Sequence, residues 1–418
     1  MTQTHVIVGG GLAGGTAAMA LRANGFDGRI VVIGDEQHLP YSRPPLSKQF
    51  VRGEFGLDRV HLRPAALWDK RQIDFVLGRR CVAVDVASQK VTLSDGDSLR
   101  YNALLLATGG RARVLANHQL DPAVNVLRTI DDAVAIGDQL GTGKRLLIIG
   151  AGFVGAELAA SAVQLGTDVT VLEAADVPLG RGLPAELGQV YWRIHREHGV
   201  DIQVNATVSG VVREGQTLRT TLTDGRVFDS DAVVVAIGLE PDVTLARQAG
   251  LRVDDGILVD QFCRTSAPNV YAAGDIANHP NLLLGQRVRV EHWQNAQHQS
   301  QVAAANMIAD ADADMKPFAE VPWVWSDQYE INLQVAGRPR PTDEVVFRGD
   351  RDSTEFSAML LRDGVLVAAV GLNRADDIRA VRELIARRLR PERTALADVN
   401  ADLTTVVSDI APSRAAHQ

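Results

Sequence analysis

The sequence predicts an α/β protein: two doubly wound modules built on one plan, followed by a smaller α+β domain. Three observations carry this. The segment His5-Val6-Ile7-Val8-Gly9-Gly10-Gly11-Leu12-Ala13-Gly14 is an apolar run that breaks into G-x-G-x-x-G and leads into an alanine-rich helical pattern. Leu146-Leu147-Ile148-Ile149-Gly150-Ala151-Gly152-Phe153-Val154-Gly155 repeats it. Beyond about residue 320 the pattern changes to short alternating strands, at 323–328 and 356–361, and a basic helix at 378–389.

Each glycine in the repeated motif has a physical task. The first permits the tight turn, the second lets backbone approach a pyrophosphate, and the third lets helix pack on strand. The helix N-terminus then offers unpaired N–H groups and the positive end of its dipole. Gly9, Gly11 and Gly14 are therefore assigned to one dinucleotide, and Gly150, Gly152 and Gly155 to a second. The strand–turn–helix context separates such a site from a chance match. Two sites in one chain predict a two-nucleotide flavoprotein, its dinucleotides held together for electron transfer between them.

Acidic residues refine the assignment. The run Arg29-Ile30-Val31-Val32-Ile33 ends in Gly34-Asp35-Glu36, about 20 residues after the first motif, where a ribose hydroxyl is normally accepted. Asp35 takes that role, with Glu36 as the alternative. After the second motif, Asp168-Val169-Thr170-Val171-Leu172 ends in Glu173, which would accept the 2′-hydroxyl of NADH and repel the phosphate of NADPH. Ala174 and Ala175 offer no cation for that phosphate, and Arg181 is the nearest arginine that follows. A solvated strand-end carboxylate is the plainer reading of each acid.

Composition narrows the class. The chain has 418 residues, 46% of them hydrophobic and 22% charged, as in an ordinary globular protein. Its net charge of −8 argues against non-specific nucleic-acid binding. No apolar run reaches the length of a membrane span. The first strand begins by His5, which leaves no room for a leader and predicts a cytoplasmic protein. The two cysteines, Cys81 and Cys263, form no C-x-x-C pair and no cluster for iron–sulfur or other metal ligation. Both are expected in the core, and electrons are expected to leave directly from the flavin.

The order along the chain predicts an insertion. The run Tyr101-Asn102-Ala103-Leu104-Leu105-Leu106-Ala107-Thr108-Gly109-Gly110 is a buried strand ending in small residues, and Ala232-Val233-Val234-Val235-Ala236-Ile237-Gly238 echoes it. A hairpin signal precedes each, at 93–96 and 222–225. After Pro241-Asp242 the chain returns to the first module through Val270-Tyr271-Ala272-Ala273-Gly274-Asp275, with a helix starting near His292. The expected division is an FAD-binding domain at 1–112 and 243–320, an NADH-binding domain at 113–242, and a C-terminal α+β domain at 321–418. The residues after about 408 are expected to fray.

Four stretches resemble one family: Leu39-Pro40-Tyr41-Ser42-Arg43-Pro44-Pro45-Leu46-Ser47-Lys48, Ala107-Thr108-Gly109, Tyr271-Ala272-Ala273-Gly274-Asp275 and Trp323-Val324-Trp325-Ser326-Asp327-Gln328. Along nearly its whole length the chain resembles the FAD-dependent ferredoxin reductases that serve bacterial oxygenases and, more distantly, apoptosis-inducing factor. The resemblance implies a glutathione-reductase-like fold. It places Arg43 and Lys48 along the flavin, with Glu157 paired to Lys48. It assigns Ala107, Thr108, Gly109, Gly274, Asp275, His292 and Trp293 to FAD, and Gly238 to NAD. The fixed cation makes chemical sense, because reduced flavin accumulates negative charge. Val290-Glu291-His292-Trp293 is closest to the reductases of ring-hydroxylating dioxygenases. Trp325 is expected either at the flavin edge or in packing, and Trp323 in packing. Arg387, Arg388, Arg390 and Arg393, with Arg338 and Arg340, could steer an acidic ferredoxin or simply form a solvated face.

The implied reaction runs from NADH through FAD to a [2Fe–2S] ferredoxin that feeds a cytochrome P450 or a dioxygenase. The rivals are an NADH oxidase or rubredoxin-type reductase, and a redox-sensing flavoprotein like apoptosis-inducing factor.

Overall fold

The computed structural model describes residues 3–115, 119–406 and 409–410. Two parallel five-stranded sheets share one plan. In the first, the strand order is Val270–Ala272, Ala103–Leu106, Thr4–Val8, Arg29–Ile33, Ile73–Val76. In the second it is Asn125–Val126, Ala232–Val235, Arg145–Ile149, Asp168–Leu172, Asp201–Gln203. The inner strands are apolar where both faces are buried, at 6–8, Ala103–Leu106, 146–149 and Ala232–Val235. In each sheet the glycine motif follows the middle strand, where the strand order reverses. That is where a crevice opens in doubly wound folds.

The two modules are joined by a narrow ribbon. Gly110–Ala112 pairs antiparallel with Leu239–Pro241, one strand on the way into the second module and one on the way out. The long helix Trp293–Asn306 packs against Leu12–Ala23, returning the chain to the first module.

The C-terminal sheet is antiparallel, in the order Trp323–Gln328, Ile331–Gly337, Val365–Leu372, Phe356–Arg362, Glu344–Arg348. Its helix runs Ala375–Ala386, three residues earlier than the sequence pattern places it. Asp376 and Asp377 occupy the first turn, where acids favour the helix dipole. Arg388 adopts φ 55°, and Leu389–Arg390 leaves the helix as a short strand paired with Asp409–Ile410. Residues 411–418, which contain most of the expected frayed tail, lie outside the described residues. Among the described residues no helix is long and apolar enough to cross a membrane.

Candidate active site

One cavity of about 1270 Å³ is lined by both glycine turns. Pockets that take a single drug-sized ligand run to about 1,000 Å³. The cavity is therefore large enough for more than one.

The turns match atom for atom. A Cβ on Gly9 (φ 123°) would fall 2.1 Å from the Ala107 carbonyl oxygen, and one on Gly150 (φ 109°) 2.5 Å from that of Ala236. Gly11 and Gly152 have no atom within 4 Å in the Cβ direction, so backbone faces open space there. Gly14 and Gly155 do not line the cavity. A Cβ on either would come within 2.1 Å of the carbonyl oxygen of Gly9 or Gly150, so both serve helix packing rather than ligand contact. Gly274 is likewise off the wall. It packs against Ala13 and Ala296, and its N–H donates to Gln299 Oε1 at 2.9 Å.

The remaining residues singled out from the sequence line the cavity: Asp35, Arg43, Lys48, Ala107, Thr108, Gly109, Glu157, Glu173, Gly238, Asp275, His292 and Trp293. Pro44–Ser47 forms a 3-10 turn with proline in its first positions, and Lys48 caps it. Lys48 Nζ lies 2.7 Å from Glu157 Oε2, and these side chains are only 6% and 8% exposed. Ser47 also donates to Glu157 Oε2, and Ser326 Oγ donates to Oε1 at 2.7 Å. The pair is thus buried and hydrogen-bonded, which offsets the desolvation of both charges. It is not a surface salt bridge.

The two candidate ribose acids differ in circumstance. Asp35 is exposed on the wall. Its alternative, Glu36, is engaged by Arg43 at 2.7 Å and Tyr41 at 2.5 Å, one partner on each oxygen. Glu173 accepts from Ala151 N–H at 2.8 Å and from Ala175 N–H at 2.9 Å. It therefore staples the second glycine turn as well as facing the cavity.

Some wall residues escaped the sequence reading. Arg128, just before the capping box of the helix Ile130–Gly137, reaches Asp275 at 3.4 Å. Its Nε is buried without a partner, and burial and the neighbouring Arg43 both lower its pKa. No local pattern marks it; only the position before Thr129-x-x-Asp132 could have drawn attention. Arg181 and Arg338, both noted from the sequence, reach the wall as well. His292 Nδ1 is buried and unpartnered, and burial brings its pKa down to about 4, so the ring is neutral.

Trp325 lines the cavity, whereas Trp323 lies behind it. The two rings stack at 5.3 Å, Trp325 meets Trp293 edge-on at 5.9 Å, and Arg382 covers Trp323. The arginine cluster is dispersed: Arg393 pairs with Glu344, Arg390 bonds the Asp363 carbonyl, and Arg338 stands at the cavity.

Both thiols are buried and free. Burial pushes Cys81 up to about 11 and Cys263 higher still. Cys81 lies on the cavity wall, but as a protonated, inert thiol.

Residues 3–300 match the model of the pyridine nucleotide-disulphide oxidoreductases, and 323–407 that of the reductase C-terminal domain. The chain belongs to the pyridine nucleotide-disulphide oxidoreductase family. It is 43% identical to the anthranilate 1,2-dioxygenase system ferredoxin–NAD(+) reductase component of Burkholderia cepacia, covering 96% of this chain and 98% of that one. It is 38% identical to rhodocoxin reductase of Rhodococcus erythropolis, covering 96% and 94%. Its fold matches putidaredoxin reductase, solved in covalent complex with putidaredoxin, with a TM-score of 0.90, 34% identity and coverage of 96% and 97%. As a member of this family it is an NADH-dependent oxidoreductase that uses FAD. The cavity fits that requirement: two open glycine turns, the buried Lys48–Glu157 ion pair and the unpartnered Arg128 and His292 nitrogens converge on it.

Proposed function

We propose that this protein is an NADH:ferredoxin reductase of an oxygenase system, delivering electrons to a [2Fe–2S] ferredoxin that feeds a cytochrome P450 or a ring-hydroxylating dioxygenase. The observation that carries it is the single cavity running between two glycine turns, with Lys48–Glu157 buried on its wall and no cysteine pair beside it. The balance is NADH plus two oxidised ferredoxins to NAD⁺, two reduced ferredoxins and one proton. Bound FAD supplies the conversion of one hydride into two single electrons.

The protein's residues do the rest. The first turn, with Asp35, Arg43, Arg128 and Asp275, would hold FAD, its open backbone N–H groups suited to a pyrophosphate. The second turn, with Glu173 and Gly238, holds NADH. Lys48, oriented by Glu157, places a fixed cation where negative charge grows on reduction. His292 and Trp293 close the wall. Trp325 forms the edge from which electrons pass to the ferredoxin, with Trp323 packed behind it.

The same reading divides the chain at 112, 242 and 320, supported by the ribbon at Gly110–Ala112 and Leu239–Pro241. A cytoplasmic location belongs to it too, since NADH is the reductant. Inert thiols disfavour a disulfide or peroxide chemistry.

The test is anaerobic mixing of the FAD-loaded protein with NADH, then with a [2Fe–2S] ferredoxin from an oxygenase system. Rapid flavin bleaching and catalytic ferredoxin reduction are expected. Bleaching without transfer to any such ferredoxin would shift the reading to an oxidase or a redox sensor.

A further inference from the structure

A chain of buried polar groups leads away from Glu157 through residues that do not line the cavity, and nothing in the reaction above uses it. Ser326 Oγ lies 2.7 Å from Glu157 Oε1, and Gln328 Nε2 lies 2.9 Å from Ser326 Oγ. His195 Nε2 lies 2.9 Å from Gln328 Oε1, and the Tyr329 hydroxyl lies 3.0 Å from His195 Nδ1. Ser326, Gln328 and His195 are buried; Tyr329 is half-buried, and His198 stacks on it at 3.6 Å. Lys48 comes from the first module, Glu157 and His195 from two helices of the second, and the other members from the C-terminal sheet.

Chemistry dictates the direction of every proton in this chain. A carboxylate only accepts, so the Ser326 hydroxyl points at Glu157. Its lone pair then faces Gln328, which must present its NH₂ to serine and its oxygen to His195. His195 therefore carries its proton on Nε2, and bare Nδ1 accepts from Tyr329. Burial brings the His195 pKa down to about 4, consistent with a neutral ring. Tyr191 packs beside it, its phenol held protonated by burial and by the Glu157 and Asp327 charges. Donors aligned head to tail polarise one another, so the last bond to the carboxylate is strengthened.

We propose that His195 is a positioning residue for the Lys48–Glu157 pair: by fixing the direction of the Tyr329–His195–Gln328–Ser326 chain, it holds the Ser326 hydroxyl on Glu157 and sets the charge that the flavin meets. The proposal rests on the placement of FAD against Lys48 given above. Without the His195 donor the Gln328 amide keeps only Ser326 and the Tyr191 hydroxyl as partners, neither of which fixes which end faces serine; when it turns, its oxygen captures the Ser326 hydroxyl, and Glu157 loses a donor. The carboxylate then offsets Lys48 more fully, and the cavity becomes more negative.

The experiment has two arms. In ¹⁵N-histidine NMR of the wild-type protein, with or without FAD, His195 should appear as the neutral Nε2–H tautomer at pH 7. In dye-equilibrated redox titrations of the FAD-loaded protein, His195→Phe should lower the ratio of reduced to oxidised flavin at fixed potential about three- to tenfold, or about 15–30 mV for a two-electron couple. His195→Gln, which keeps a donor toward Gln328, should recover more than half of that shift. Tyr329→Phe should move the potential in the same direction by less. An Nδ1–H tautomer, an unchanged potential in folded His195→Phe, or equal shifts in His195→Phe and His195→Gln would each overturn the proposal. Neither arm uses ferredoxin, so failure to reduce ferredoxin would overturn the functional reading and leave this one standing. Failure to bind FAD would remove the flavin placement, with the NMR arm still deciding the chain.

Discussion

Replacing Glu173 by alanine removes one negative charge and two hydrogen bonds at the second glycine turn. The bonds, to Ala151 N–H and Ala175 N–H, are charge-assisted. Each is of a kind worth about 1.5–3 kcal/mol when left unreplaced. Because the site faces the cavity, water takes over part of that, and we expect a net cost to NADH of about 1.4–2.8 kcal/mol, a tenfold to hundredfold fall in kcat/KM. The charge acts on the competitor. Two unit charges about 5 Å apart at an effective dielectric of about 20 repel by about 3 kcal/mol. NADPH is relieved of that repulsion, so the NADH:NADPH ratio of kcat/KM should fall at least about a hundredfold. Glu173→Gln separates the effects: it removes the charge but keeps one acceptor, so NADH should suffer less while the ratio still falls. The assay is stopped-flow flavin bleaching with each nucleotide at low ionic strength, where the charge term is least screened. A ratio within about twofold of wild type, with bleaching intact, would refute the role of Glu173.

Other outcomes follow from the same geometry. Glu157→Ala leaves Lys48 buried without its partner and should cost about 3–5 kcal/mol in urea unfolding, whereas Lys48→Met, which leaves Glu157 with two hydroxyl donors, should cost less but lower the flavin potential. Trp325→Ala should slow ferredoxin reduction at least about tenfold while NADH bleaching stays within about twofold, measured by stopped flow; equal losses would make it a packing residue only. Buried His5, His195 and His279 have folded pKa values near 4 against about 6.5 unfolded. The unfolded state therefore binds more protons between about pH 4 and 6.5, so stability is fully present above about pH 6.5 and falls as pH drops, by up to about 1.4 kcal/mol per pH unit for each group. The urea midpoint should be flat from pH 7.5 to 8.5 and drop clearly at pH 5; a flat profile throughout would contradict neutral buried imidazoles. Replacing Cys81 and Cys263 together by serine should leave ferredoxin reduction intact, and native thiols should resist thiol reagents for as long as the fold persists.

The sequence by itself determined the two glycine turns, the strands that feed them and the repeat of one plan. Part of this is local: a Cβ on Gly14 or Gly155 would meet the carbonyl of Gly9 or Gly150 five residues back in the same motif, so each turn permits no other residue there. Family resemblance extended this to Lys48 and Glu157, 109 residues apart in sequence, whose pairing no spacing rule reveals. The packing task of Gly14 and Gly155 was likewise legible in the motif, whereas only the tertiary structure decided that Gly274 packs on Ala13 and Ala296 rather than lining the site, because those neighbours come from distant helices. It also brought Arg128 onto Asp275, turned Glu173 back onto its own glycine turn, and shifted the C-terminal helix three residues toward its acidic start. The chain from Tyr329 to Glu157 lies furthest from sequence. Its members come from two helices of the second module and the C-terminal hairpin and carry no shared motif, and their direction is imposed by one buried carboxylate that can only accept.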